Sequence, residues 1–170
     1  MLAHAENRGK GDAIRSGWRT APQARWLAFV DADGSAPAAE VVALLARARD
    51  AGAPAVFIAG RRGRINKTVS RFWYRRLGSW LFNGWVRCCL HFDLPDTQCG
   101  LKVIPASLSH AFVWRENGFA FDLELLARAR AAGLPVITQS IAWRECSGSS
   151  LGVRAILALF AAAWRLRRLT

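Results

Sequence analysis

At 170 residues and 52% hydrophobic, the chain is long enough for one filled core and too apolar for a disordered protein. Its net charge of +12 calls for an anionic partner. No apolar run reaches the ~20 residues a bilayer-spanning helix needs. Met1–Lys10 lacks a signal-peptide core, and the four cysteines form no CxxC pair. A reduced, cytosolic setting is therefore expected, without a zinc site or a disulfide framework.

Asn7-Arg8-Gly9-Lys10-Gly11 is a glycine-rich basic loop that leads into a helix predicted over 10–20. Glycines let a backbone approach a phosphate, and a helix N-terminus with a lysine favours the anion. The GK[ST] ending of a Walker A loop is absent, and an ordinary solvated loop is the competing interpretation. Trp26–Val30 is a short buried strand that runs into Asp31-Ala32-Asp33-Gly34. Residues two apart on a strand share a face, so Asp31 and Asp33 are expected to point the same way. Two such carboxylates suit Mg²⁺ or Mn²⁺, with phosphates completing the shell. The alternative is an Asx turn that closes the strand. Residues 37–50 read as a helix opened by Pro37 and ended near Gly52, and residues 55–60 as a second buried strand.

No acidic residue lies between Asp50 and Asp93, a stretch that holds Arg61, Arg62, Arg64, Lys67, Arg71, Arg75, Arg76 and Arg87. Within a helix predicted over 66–90, Arg71, Arg75, Ser79, Asn83 and Arg87 recur every four residues as a polar stripe among aromatic and aliphatic side chains. Such a helix suits an anionic membrane interface. A core helix with a solvated basic face is the plainer alternative. Nucleic acid is not expected, because no groove-reading motif appears and phosphate-backbone binding needs no paired carboxylates.

Asp96-Thr97-Gln98-Cys99-Gly100-Leu101-Lys102 places an acid, a glycine and a lysine at a loop-to-strand transition, a candidate polar site, with a strand over 101–104. A helix over 120–132 carries Asp122 and Glu124 in its first turn. These acids either orient neighbouring groups or simply favour the helix start. A strand over 135–143 and a basic, apolar-rich helix over 151–168 complete the chain. That last helix is expected to lie on a membrane or to lead into a transmembrane segment. The alternation of strands and helices implies an α/β fold with a mainly parallel sheet.

In this order, N-x-G-K-G, D-A-D after a strand, a basic amphipathic stretch, D-T-Q-C-G-L-K and F-D-L-E-L-L resemble the family 2 glycosyltransferases of GT-A fold. The similarity is greatest to the dolichyl- or polyprenyl-phosphate glucosyl- and mannosyltransferase branch and runs from about Asn7 to about Leu151. The resemblance implies that Asp31 and Asp33 hold the metal. It implies that Gly9, Lys10, Gly11 and Arg144 contact the nucleotide or its diphosphate, and that Arg61, Arg71, Arg75, Ser79 and Lys102 hold the acceptor phosphate. Asp96, beside the acceptor, is the catalytic candidate. The implied activity moves a hexose, glucose from UDP-glucose or alternatively mannose from GDP-mannose, onto a polyprenyl phosphate. It does so by a metal-dependent inverting displacement at the cytosolic membrane face. A glycan acceptor and an inactive, truncated membrane-binding domain are the alternatives. Members normally begin with a V-I-P-A-Y-N-E-like strand, which nothing here matches. A partial GT-A domain over 1–150 that lacks its first strand or strands is therefore expected, followed by the helical segment 151–170. Where relatives carry G-S-K, Gly148-Ser149-Ser150 lacks the cation.

Overall fold

Val56 and Ile58 face one hydrophobic core while Phe57 and Ala59 face another, so the second predicted strand is buried on both sides. The computed structural model describes residues 2–61, 73–92, 94, 96–142 and 152–169, with the side chains at 61, 73–77 and 79 outside that set. Its strands are β1 (Trp26–Val30), β2 (Val56–Arg61), β3 (Leu101–Pro105) and β4 (Val136–Ile141). Its helices are α1 (Lys10–Arg19), α2 (Ala38–Asp50), α3 (Trp73–Leu90), α4 (Ala106–Ala111), α5 (Phe121–Ala131) and α6 (Val153–Leu166).

The strands form one sheet in the order β1-β3-β2-β4. β2 and β4 are parallel, and β3 is antiparallel to both β1 and β2. Three strands thus share one direction, but β3 runs against them between β1 and β2, so the sheet is mixed where a mainly parallel one was expected. All five β3 residues are buried, and a fully buried run carries no sign of its direction. α4 was not foreseen, because a six-residue helix beginning at the end of a strand has no period to read.

α2 covers one face of the sheet through Leu44 and Ala48, packed with Phe57, Leu101 and Val103. The larger core lies on the other face, where Leu27, Ile58 and Ile104 meet Trp18 of α1, Val86 of α3, Leu123 and Leu126 of α5, and Leu159 and Ala163 of α6. α6 is tied to α3 by the Trp85 indole, which donates to the Phe160 carbonyl at 3.1 Å, and by stacking of Trp85 on Trp164. β1 is an edge strand of the described sheet. Asp31 N donates to Gly100 O and Ala106 N to Arg25 O, so Ala28 falls at a position whose backbone groups face away from β3. The Trp18 indole donates to that outward Ala28 carbonyl at 3.1 Å.

Glu124 and Arg128, one turn apart on α5, form a buried ion pair with Arg128 Nη2 2.7 Å from Glu124 Oε1. Glu124 also accepts the backbone N–H groups of Arg115 at 3.0 Å and Glu116 at 2.8 Å, which fixes the loop before α5. Glu124→Gln removes the charge from this carboxylate. It should lower stability by about 2 kcal/mol in urea unfolding, as expected for a weakened buried network.

Candidate active site

The strand ends at Val30, one residue before the acidic pair, so the period of a strand does not align Asp31 with Asp33. The two carboxylates have different partners. Asp33 Oδ1 accepts the Ser35 N–H at 2.9 Å, the Asx turn foreseen as the alternative, and Gly34 takes a φ of 73° to complete the turn. Asp31 is held through its own N–H, which donates to the Gly100 carbonyl at 2.8 Å. Its carboxylate packs on the Gly100 Cα so closely that a β-carbon there would overlap it.

Lys10 reaches this carboxylate from the start of α1. Its Nζ lies 3.0 Å from Asp31 Oδ1 and 2.9 Å from Asp122 Oδ2. Asp122, fully buried in the first turn of α5, uses its other oxygen for Lys102 Nζ at 2.5 Å. Lys102 in turn donates to the Cys99 carbonyl at 2.6 Å. The Phe29 ring lies under both ammonium groups, 5.2 Å from Lys10 Nζ and 5.5 Å from Lys102 Nζ. Through these two lysines, Asp122 of α5 is linked to α1, to Asp31 after β1, and to the Cys99 carbonyl before β3. Burial works against the charged form of Lys10, but Asp122 and then Asp31 outweigh it and hold its pKa above the ordinary 10.5. A raised lysine pKa adds stability that is complete below the unfolded value and is lost as pH rises through the folded one. The Tm difference between wild type and Lys10→Met should therefore hold through neutral pH and shrink only above 10.5.

Two of the expected site elements have structural partners within the fold. Lys102 is fully buried on Asp122 and Cys99, which leaves it unable to meet an acceptor phosphate. The glycines of the N-x-G-K-G loop also serve the packing of the fold. The Gly11 and Asp12 N–H groups both donate to Asn117 O, at 2.6 and 3.3 Å. A β-carbon on Gly11 would meet Glu116 O at 2.6 Å, and Gly9, with φ 92°, would meet Asn117 O. At both glycines the loop before α5 presses against the start of α1 more closely than a β-carbon would allow. Of the loop's candidates only Lys10 reaches toward Asp31.

Asp96 is half-buried, and its Oδ1 accepts the Gln98 N–H at 3.0 Å in an Asx turn. Beside it, Thr97 Oγ1 and Gln98 Nε2 are buried with no hydrogen-bond partner among the described residues. Orphaned polar atoms of this kind mark a place where a ligand or water is expected. Arg71 and Arg144 lie outside the described residues, as do the side chains of Arg61, Arg75 and Ser79. Among the described residues no group of three or more His, Cys, Asp or Glu converges as a metal site. The hard oxygens of Asp31 and Asp33, both accessible, nonetheless fit Mg²⁺ or Mn²⁺ in their chemistry.

The sequence points to one group of enzymes. A dolichyl-phosphate beta-glucosyltransferase of Drosophila melanogaster is 31% identical over 158 residues, covering 89% of this chain and 48% of that protein. The Homo sapiens protein of the same name is 30% identical over 159 residues, again 89% and 48%. The chain is related to the family 2 glycosyltransferases. No family model matches it. The chain spans about half the length of the curated relatives it matches. Its glycosyltransferase fold is shared with glucosyl-3-phosphoglycerate synthase from Mycobacterium tuberculosis, solved with uridine diphosphate. The TM-score is 0.67 at 15% identity, over 95% of this chain and 56% of that one.

Asp122 and Phe29 are the members of the constellation that spacing alone did not single out as ligands or bases. Asp122 was visible as a first-turn acid. Its burial between two lysines was not, because Lys10 and Lys102 are far from it in sequence.

Proposed function

We propose that this chain is the catalytic part of a transferase that moves a hexose, glucose from UDP-glucose, onto a polyprenyl phosphate. The observation that carries this is Asp31 at the end of β1, backed by the Lys10–Asp122–Lys102 relay and flanked by the exposed Asp33. Asp31 and Asp33 would hold Mg²⁺ or Mn²⁺, which supplies charge neutralisation for a departing diphosphate. Lys10 adds a positive charge on the same side. The acceptor phosphate is already anionic at neutral pH, so it needs alignment and charge compensation more than a strong base. Arg61, Arg71, Arg75 and Ser79 are the groups for that task, Arg144 is a diphosphate contact, and Asp96 orients the acceptor beside the orphaned Thr97 and Gln98.

A membrane surface is the natural source of such an acceptor, reached from the cytoplasmic face. No helix among the described residues is long and apolar enough to cross a membrane. α3 and α6 expose Trp80, Leu81, Leu157 and Trp164, with Arg87, Arg154, Arg165 and Arg168 also at the surface. Rings and guanidiniums together favour an anionic headgroup layer.

Calorimetry of UDP-glucose with and without Mn²⁺ tests the donor site, with GDP-mannose and an Asp31→Ala/Asp33→Ala double variant as controls. Metal-dependent binding of UDP-glucose that the double variant loses supports the proposal. Metal-independent binding, or equal binding of GDP-mannose, would redirect it to another donor. No binding by a folded chain would make this an inactive relative.

A further inference from the structure

Asp31 already has a cation. The Lys10 ammonium sits 3.0 Å from Asp31 Oδ1, and its side chain is only 14% exposed. We propose that Lys10 is a built-in counter-cation of Asp31, which keeps a bare divalent ion off that carboxylate and admits the ion only together with a diphosphate. The inference rests on the metal-and-diphosphate reading above.

The charges support it. Asp122 is buried, and one of its oxygens is held by Lys102, itself anchored on the Cys99 carbonyl. Lys102 thereby neutralises Asp122, and the charge of Lys10 is left to balance Asp31. Two ammoniums and two carboxylates cancel. A divalent ion arriving alone would meet a carboxylate that is already compensated, with a positive charge beside it in a partly dry site, where repulsion is poorly screened. Asp122 Oδ2, 2.9 Å from Lys10 Nζ, and the Phe29 ring tether the ammonium, so it cannot withdraw freely into solvent. A metal–diphosphate complex changes the balance because it brings its own negative charge. An ammonium has three donors. With two directed at Asp31 and Asp122, Lys10 can turn to a phosphate oxygen while Asp122 keeps its hold. The exchange makes metal and diphosphate binding mutually dependent, and such coupling is reciprocal.

Mn²⁺ binding, followed by electron paramagnetic resonance of the free ion with and without UDP, tests this on wild type, Lys10→Met, Lys10→Gln and Lys10→Arg. Wild type should bind bare Mn²⁺ weakly, and UDP should strengthen binding by about tenfold, within the usual range of coupling. Lys10→Met should bind bare Mn²⁺ about tenfold more tightly than wild type and lose most of the enhancement by UDP. Lys10→Gln, which keeps a hydrogen-bonding head without the charge, should do the same should the methionine variant not fold. Lys10→Arg should stay near wild type. If both neutral variants bind bare Mn²⁺ no better than wild type, while all bind Mn²⁺ with UDP, Lys10 is only a structural staple and the metal reading stands. If no protein binds Mn²⁺ under either condition, and Asp31→Asn is indistinguishable from wild type, the metal reading fails and the counter-cation role goes with it.

Discussion

Asp122→Ala should lower stability by about 3–5 kcal/mol, the usual cost of breaking a buried ion pair from one side. Lys102 is fully buried, and its ammonium would keep the Cys99 carbonyl and the Phe29 ring but no counter-charge. Lys10 would lose one of its two carboxylate partners, leaving Asp31 alone. A urea titration would show the loss as a lower midpoint at unchanged slope. A double variant, Asp122→Leu/Lys102→Met, removes the stranded charge with its partner and should recover most of the stability, because apolar replacement of a buried pair is often neutral. A single-variant loss below about 1 kcal/mol would mean that water reaches the pair.

Gly100→Ala should reduce metal-dependent UDP-glucose binding by about 10²-fold while leaving the chain folded. The added β-carbon falls on the Asp31 carboxylate, and Asp31 cannot shift as a whole because its N–H is bound to the Gly100 carbonyl. The carboxylate must rotate off Lys10, and displacements of about 1 Å at a charged site cost losses of this order. Gly17→Ala, at a helical position where nothing lies within 4 Å of the new atom, is the matched control and should bind as wild type does. Equal affinity in the two variants would show that the position of Asp31 does not matter to the donor.

The strands and all but one helix were legible because each leaves a local mark in the sequence. Strands such as Val56–Ile58 are continuous apolar runs, and α5 begins with acids and ends at Gly133. What escaped was what depends on distant partners. The direction of β3 leaves no trace in a run buried on both faces. Gly9 and Gly11 looked like phosphate-approach glycines, and the Asn117 carbonyl that occupies the Gly11 amide lies more than a hundred residues away. Lys102 was assigned to the acceptor phosphate by resemblance, and its sequence neighbours do not show what it packs on. Only the fold puts Asp122 against it. The D-A-D pair was singled out by a strand argument that stops one residue short.

The indole of Trp18 on the Ala28 carbonyl has a consequence for how molecules meet one another. A sheet margin with bare amides is a template on which a second polypeptide can crystallise its own strand, the first step toward fibres. Among the described residues, the Ala28 acceptor on that margin is already taken by the Trp18 indole. Within the described sheet, Trp18 therefore removes one of the backbone groups that a strand added along β1 would need.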